Sequence, residues 1–200
     1  MLGKTGYRRT FCALCITDFL LWLEWGISTQ MLSIYVHELG GSPVEVGLVF
    51  SVFAGVNVFA DLIWGAVSDY LGRRKILIVL GMTGIVPIFL LMSMQKNILY
   101  LILLRGCTAI FKGAVVPTTW ALVSDVSPSE KVGSNMGVLS SFELSGFALG
   151  SVVGGFIADT YGFPTLWIFV AAECLVGALV FLFGGFRSDN NKAWRKEAFL

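Results

Sequence analysis

Ionisable side chains occur inside long hydrophobic stretches of this sequence. Seven of them are surrounded by apolar residues: Asp18, Glu24, Asp61, Arg105, Lys112, Glu143 and Glu173. An ionisable group placed in a hydrocarbon environment costs about 2.5–3.5 kcal/mol, so such groups usually serve a function. They can bind a charged solute or carry a proton, or they can pair with one another and hold helices together.

Five of these residues are our candidates for a substrate or proton cavity. Arg105 and Lys112 are seven residues apart and therefore share one helix face, which suits an anionic group or a lined cavity. Asp18 and Glu24 are six residues apart and point to different sides of a helix, so only one of them is expected to face the cavity. Glu143 stands among serines in the middle of its stretch. For each residue, structural pairing is the alternative.

The sequence contains few residues in the patterns that enzymatic catalysis requires. The only histidine is His37, which stands beside a Gly-Gly pair, and neither G-x-S-x-G nor H-E-x-x-H occurs. Cys12 and Cys15 form a single C-x-x-C without a second pair, which favours apolar packing over a metal site. We expect no metal, no cofactor and no enzymatic activity.

The composition indicates a membrane protein. The chain has 200 residues, of which 56% are hydrophobic and 14% charged, whereas about a quarter of a soluble domain is charged. The mean hydropathy is +0.80. Lipid is therefore the expected surrounding, and the net charge of +1 gives no reason to expect a nucleic-acid partner.

Apolar runs separated by short polar breaks predict six membrane-spanning helices, and hence an all-α polytopic fold. A span needs roughly 20 residues. The first run is too long for a secretory signal and contains two acids, so we interpret it as a retained helix. The predicted spans are 11–36, 44–67, 76–94, 98–122, 134–158 and 164–186.

Lysine and arginine residues divide unevenly between the two sets of alternating loops. One set and the termini contain eleven of them, and the other contains only Lys96. The positive-inside rule then predicts that both termini are cytoplasmic. We expect a multi-pass protein of the plasma membrane.

A short motif is repeated at a spacing of ninety residues. The pattern G-x-x-x-D-x-x-G occurs at Gly65–Gly72 and again at Gly155–Gly162, each time after the second helix of a triplet. Only the first copy is followed by basic residues, so the two copies are expected on opposite sides of the membrane. The pattern predicts two inverted three-helix repeats, 11–94 and 98–186, an arrangement typical of secondary transporters.

The first copy, followed by Arg73, Arg74 and Lys75, resembles the cytoplasmic loop signature of the major facilitator superfamily. The run from Gly40 to Gly47 is similar to that family's lead into its second helix. The resemblance covers residues 11–186 and implies the N-terminal six-helix half of a twelve-helix fold. It implies a bundle over residues 1–186, with 187–200 as a cytoplasmic tail or the start of the central linker.

In that family an aspartate and an arginine of the loop form a charge cluster with an acid at the end of helix 4. Asp69, Arg73 and Asp125 occupy those positions here. The resemblance implies a conformational switch, and a simple loop cap with a topology signal is the alternative. The residues assigned to this switch loop are Gly65, Asp69, Gly72, Arg73, Arg74 and Asp125.

The fifth span is rich in glycine and resembles the family's antiporter motif, although Ser151 stands where that motif has proline. A packing seam is the alternative interpretation, because small residues let helices approach closely. The combination of an acid in the first span with Arg105 in the fourth is similar to the arrangement of charges in the family's drug–proton antiporters. The glycines expected in the seam are Gly137, Gly146, Gly150, Gly154 and Gly155.

Tryptophans complete the list of notable residues. Trp22 and Trp25 are interpreted as membrane-belt or packing residues rather than a substrate platform, and Trp120 and Trp167 as belt residues near span ends.

Together these patterns predict a secondary active transporter of small solutes, coupled to protons and suited to efflux of drugs or metabolites. One alternative is a truncated or split half-transporter that works only with a second six-helix half, from another chain or a homodimer. Another is a six-helix scaffold without transport. The expected partners are the lipid bilayer, a small-molecule substrate and that second half.

Overall fold

The computed structural model describes the backbone of residues 4–184 and the side chains of residues 9–184. This part of the chain is helical throughout, with short connections and no strand. The predicted tail, 187–200, lies outside the described residues. The helices are α1 (Lys4–Glu38), α2 (Pro43–Leu71), α3 (Arg74–Met92), α4 (Ile98–Val126) and α5 (Val132–Gly184), with a 3₁₀ turn at Ser129–Lys131 before α5.

Helix α5 contains two membrane spans. It has 53 residues, and a straight helix of that length would measure about 80 Å, far more than a hydrocarbon core of about 30 Å. Gly162 interrupts it with φ 80° and ψ 166°, a backbone conformation open to glycine. Pro164 follows two residues later, in the first turn of a new helix, where no N–H is needed. We call residues 132–161 α5a and residues 163–184 α5b, which gives the six predicted spans.

The two three-helix repeats interlock. The most extensive contacts are between α1 and α5a and between α2 and α4. Each of these pairs joins the first helix of one repeat to the second helix of the other. The inverted repeat therefore produces one bundle in which neither triplet packs only with itself.

Glycines make both of these crossings close. A β-carbon at Gly146 or Gly150 would clash with the backbone carbonyl of Phe19 or Leu23 in α1. At the other crossing, a β-carbon on Gly113 of α4 would lie 2.7 Å from the Ala60 β-carbon of α2. Without a hydrophobic driving force in lipid, such close van der Waals contact is what holds spans together.

Three of the five glycines predicted to form a packing seam do so in the structure. Gly146, Gly150 and Gly154 face α1, at intervals of four residues. Gly137 has open space around it, and Gly155 reaches only the Met31 methyl at 4.0 Å. Gly26 of α1, which the sequence analysis did not identify, faces the backbone of Phe147 and completes the seam from the other side.

Gly65 was expected to let helices approach closely. A β-carbon there would meet no atom of the described residues within 4 Å, so this part of the prediction is wrong for the described bundle. Gly72 does end α2 in the left-handed conformation, with φ 60°, as a tight turn after a helix requires.

The third helices of the repeats, α3 and α5b, pack through an aromatic contact. Phe89 and Trp167 are stacked, with ring centroids 5.8 Å apart. Trp167 has no exposed surface, so the prediction that it lies in the membrane belt is wrong. Its neighbours Tyr35 and Phe163 belong to the same cluster, and the Tyr35 hydroxyl donates to the Gln95 carbonyl at 2.6 Å.

The two copies of the repeated motif lie at opposite ends of the bundle. Near the first copy, Lys75 donates to the Leu182 carbonyl at 2.8 Å and Arg9 donates to the Phe183 carbonyl at 3.2 Å. Near the second copy, Asp159 lines a small cleft with Glu38 at the far end of α1. This is the geometry that an inverted repeat predicts.

Candidate functional site

A carboxylate and two cations meet in the interior of the bundle. Glu24 comes from α1, and Arg105 and Lys112 come from one face of α4. Arg105 Nη1 lies 3.5 Å from Glu24 Oε1, and Lys112 Nζ lies 3.6 Å from Glu24 Oε2. Ser28 Oγ, one turn further along α1, donates to Glu24 Oε1 at 2.7 Å. We call Glu24, Arg105 and Lys112 the buried charge cluster.

The buried charge cluster is almost completely shielded: Glu24 and Arg105 are 1% exposed and Lys112 is 7% exposed. Ion pairs so far from water are stable only if each charge has a partner, and removing one partner leaves an uncompensated charge. Glu24 is the one acid placed between the two bases, so it is the residue on which the cluster depends.

Aromatic rings surround both cations. The Lys112 ammonium lies 3.6 Å from the Trp25 ring centroid and 5.6 Å from that of Trp22. The Arg105 guanidinium carbon lies 5.0 Å from the Trp25 centroid and 4.4 Å from that of Phe53. These are cation–π distances. Trp22 and Trp25 therefore belong to the site, and the interpretation of them as belt or packing residues is incomplete.

A second polar group forms between α1, α4 and α5a. The carboxyl groups of Asp18 and Glu143 lie within hydrogen-bonding reach of each other. Trp120 Nε1 donates to Glu143 Oε1 at 3.0 Å. Asp18 is 1% and Glu143 5% exposed. We call Asp18 and Glu143 the carboxyl pair.

Both acids of the first span face the interior, whereas the sequence analysis expected only one to do so. The reason is that α1 contacts α2, α4 and both parts of α5, so more than one of its faces is covered. Trp120 was interpreted as a belt residue. In the structure Trp120 donates a hydrogen bond to Glu143. A buried acid needs such a donor, and this need was the one sequence signal that could have pointed to a partner for Glu143.

Glu173 of α5b is a further buried acid that the sequence analysis noted without assigning it to the cavity. It is 7% exposed. The Cys174 thiol is 3.9 Å from its Oε1, and its Oε2 has no hydrogen-bond partner among the described residues.

Among the side chains that the structure describes, the interior has more acids than bases. Four carboxyl groups, Asp18, Glu24, Glu143 and Glu173, and two cations, Arg105 and Lys112, are at least nine-tenths buried. Several donors also lack hydrogen bonds within residues 9–184, among them Arg105 Nε, Arg105 Nη2 and Lys112 Nζ. The site thus has capacity for protons on its acids and for acceptor groups near its cations.

Asp61 lies outside this interior group. It is on α2, is partly exposed, and its Oδ2 accepts a hydrogen bond of 2.7 Å from Asn57. Across residues 9–184, no three histidine, cysteine, aspartate or glutamate side chains are arranged to hold a metal ion.

The predicted switch loop forms a charge cluster, but through a different arginine. Arg74 pairs with Asp125 at 2.5 Å and with Asp69 at 3.7 Å. Arg73 is the exposed residue that precedes α3, and it makes no ion pair with the described residues. The prediction that Arg73 is the basic partner is therefore corrected to Arg74, because the first turn of α3 directs residue 74 back toward the ends of α2 and α4.

Comparisons with known proteins agree with this architecture. The sequence model of the Major Facilitator Superfamily matches residues 14–199. The chain is 31% identical over 182 residues to the multidrug resistance protein MdtG of Citrobacter koseri, covering 88% of this chain and 44% of that protein. It is 29% identical over 165 residues to the uncharacterized MFS-type transporter MJ1560 of Methanocaldococcus jannaschii, covering 82% of this chain and 42% of that protein.

Solved structures show the same fold. A bacterial homolog of the human lysosomal transporter Spinster, crystallised inward-facing and unoccupied, superimposes with a TM-score of 0.79 at 17% identity, over 98% of this chain and 49% of that one. A peptide transporter, POT, gives a TM-score of 0.72 at 16% identity, over 94% of this chain and 42% of the other. The chain thus spans about half the length of the relatives it matches.

Proposed function

Because the chain belongs to the major facilitator superfamily, a family of transporters rather than enzymes, we propose that this multi-pass membrane protein takes part in proton-coupled secondary transport of small solutes. The observation that carries this proposal is the group of buried ionisable residues around Glu24, Arg105 and Lys112. A bundle with only a structural role has no need of so many charges in its interior.

The excess of acids supports H⁺ as the coupling ion. Within residues 9–184, four carboxyl groups but only two cations are buried, and an ionised carboxylate without a partner is costly in such surroundings. A hydrogen bond between the two members of the carboxyl pair requires a proton on one of them. Protons can therefore neutralise the excess acids and leave again when a solute or a conformational change alters their surroundings.

We propose that the substrates are small amphipathic compounds and that the direction of transport is efflux. The 31% sequence identity to a protein named multidrug resistance protein MdtG supports this proposal. The interior also offers the rings of Trp22 and Trp25 around Lys112, which pairs with Glu24, and this combination is suited to an aromatic compound with a charged or polar group.

We further propose that a second six-helix bundle completes the pathway, on the same polypeptide, on another chain or on a second copy. Two observations support it. The matched relatives are about twice as long as this chain. In addition, α2 is covered mainly by α4, and its Phe59, Leu62 and Ile63 side chains are 61–69% exposed.

In this proposal the ion pairs of Arg74 with Asp69 and Asp125 act as a conformational switch at the end of the bundle that carries the basic loops. The positive-inside rule places that end, and both termini, in the cytoplasm of a cell whose plasma membrane contains the protein. Partly exposed ion pairs between helix ends are suited to a switch because they can be broken at a small cost in free energy.

Inside-out membrane vesicles test the proposal. The chain is produced within its complete polypeptide or together with the partner half, a pH gradient is established by respiration, and ethidium is added as the probe. We expect ethidium to release part of the pH gradient, and Glu24→Gln to abolish this release. Glu38→Gln, at the exposed end of α1, is the matched control and should retain it.

The proposal is wrong if neither ethidium nor a panel of other amphipathic cations, anions and neutral compounds moves protons in these vesicles. A chain that transports ethidium as a verified monomer would contradict the second-bundle proposal alone.

A further inference from the structure

The ion pairs of the buried charge cluster leave one edge of the Arg105 guanidinium group without a partner. Nη1 is the atom that faces Glu24 Oε1. Nε and Nη2 are buried and make no hydrogen bond with the side chains and backbone of residues 9–184. These two nitrogens stand side by side on the planar group and donate in the same direction, which is the geometry that binds both oxygens of one carboxylate. The structure therefore contains a buried two-donor fork without an acceptor.

The charge balance of the cluster indicates what kind of acceptor would fit. When all three residues are ionised, Glu24 carries one negative charge, and Arg105 and Lys112 together carry two positive charges. Neither cation has another ion pair within the part of the chain that the structure describes, so the other buried acids do not supply one. A buried charged donor is costly without an acceptor. One further negative charge, placed on the fork, would complete the cluster.

Aromatic rings cover the same guanidinium group. Its carbon lies 5.0 Å from the centroid of Trp25 and 4.4 Å from that of Phe53, and the two rings are 4.9 Å apart. Trp25 comes from α1 and Phe53 from α2, two helices that make few other contacts. Trp25 is also partly exposed. The two rings therefore close the gap between α1 and α2, and this gap is the route by which a solute would reach Arg105.

We propose that the Nε–Nη2 edge of Arg105 is a subsite for the carboxylate group of an aromatic solute, whose ring packs against Trp25 and Phe53. This inference rests on the proposed transport function, which it deepens by naming the charged group that the solute carries. A carboxylate is planar, and its two oxygens match the two donors of the fork, whereas an amide offers one oxygen and a competing donor. The subsite should therefore select aromatic acids over the corresponding amides.

Equilibrium binding of two matched compounds to the complete protein in detergent tests the subsite. The compounds are naphthoate and naphthamide, which share one ring system and differ in charge, and isothermal titration calorimetry at neutral pH measures both affinities. We expect naphthoate to bind at least about tenfold more tightly, because hydrogen bonds to a charged acceptor are the stronger ones. Equal affinities in the wild-type protein would overturn the inference.

Arg105→Lys tests the fork itself. Lysine keeps a positive charge opposite Glu24 but lacks the planar pair of donors, so the ratio of the two affinities should fall toward one. Arg73→Lys makes the same exchange at an exposed arginine and is the matched control, which should keep the wild-type ratio. A wild-type ratio in Arg105→Lys would show that another group binds the carboxylate, and the assignment to Arg105 would be wrong.

Phe53→Leu locates the subsite without altering any charge, and it is informative even if Arg105→Lys does not fold. Loss of the ring removes apolar surface beside the guanidinium group, so both compounds should bind more weakly. Unchanged affinities of both compounds in Phe53→Leu would overturn the placement of the solute beside Arg105.

The binding measurements need neither a pH gradient nor transport, which separates this inference from the proposed function. If ethidium moves protons in vesicles but the wild-type protein binds the acid and the amide equally, the carboxylate subsite alone is refuted. If neither ethidium nor the panel of other compounds moves protons, the proposed function fails, and the ratio of the two affinities still decides whether Arg105 holds a carboxylate.

Discussion

The Lys112 ammonium group lies 3.6 Å from the centroid of the Trp25 ring in the interior of the bundle. This contact joins α4 to α1, and it does so at the residue that also pairs with Glu24. The carboxylate, the ammonium and the indole therefore form one unit. A substitution of Glu24, Lys112 or Trp25 should therefore change both the packing of the bundle and the transport of the solute.

Glu24→Gln should destabilise the folded bundle. The substitution leaves Arg105 and Lys112 buried without their shared counter-charge, and breaking such a pair costs about 3–5 kcal/mol. Thermal unfolding in detergent, followed by circular dichroism, measures the effect. Glu38→Gln changes an exposed acid on the same helix and should leave the unfolding temperature unchanged. Equal unfolding temperatures for the two variants would contradict the importance of the ion pairs.

Gly150→Val should prevent α1 and α5a from packing, because a β-carbon at this position meets the backbone carbonyl of Leu23. Backbone atoms cannot move aside as a flexible side chain can, so the crossing must open. Gly137→Val is the matched control on the same helix, since its β-carbon meets nothing within 4 Å. Size-exclusion chromatography and thermal unfolding compare the two, and a folded Gly150→Val protein of wild-type stability would refute the seam.

Arg74→Ala and Arg73→Ala should differ although the two residues are adjacent. Arg74 pairs with Asp69 and Asp125, whereas Arg73 has no ion pair with the described residues. Because the two acids are 76% and 58% exposed, the loss should be small, about 1 kcal/mol. We expect Arg74→Ala, but not Arg73→Ala, to change the rate of ethidium efflux and the rate at which water-soluble reagents label the interior of the bundle. If Arg73→Ala has the larger effect, the assignment of the switch to Arg74 is wrong.

Residues 73 and 165 should be accessible from opposite sides of the membrane. In a protein whose four cysteines are replaced by alanine, Arg73→Cys should react with an impermeant maleimide only in inside-out vesicles. Thr165→Cys, exposed at the start of α5b, should react only in intact cells. Labelling of both from the same side would contradict the inverted repeat and with it the six-span topology.

Much of the architecture follows from the sequence because lipid imposes strict conditions on it. A span must be about 20 residues of apolar helix with every backbone group bonded internally. The six runs and the repeated motif at Gly65–Gly72 and Gly155–Gly162 were therefore readable without coordinates. The break between the predicted spans 134–158 and 164–186 was readable too, and the structure places it at Gly162, two residues before Pro164.

The candidate site was only partly predictable. Glu24, Arg105, Lys112 and Glu143 stood out because charges in apolar runs are costly, and the structure places all four in the interior. The partners of these charges were not readable. In the sequence, Trp22 and Trp25 cannot be told apart from tryptophans of the membrane belt. Only the crossing of α1 with α4 brings their rings to the cations.

The sequence by itself determined the number of spans, the inverted repeat and the identity of the buried charges apart from Asp61, since these depend on composition along one helix at a time. The tertiary structure decided which charges meet, that Arg74 rather than Arg73 binds the acids, that both Asp18 and Glu24 face inward, and that Gly26 completes the seam with Gly146 and Gly150. These outcomes depend on the rotation and crossing of helices relative to one another. In lipid, that geometry is set by close van der Waals contact between spans, which no single span encodes.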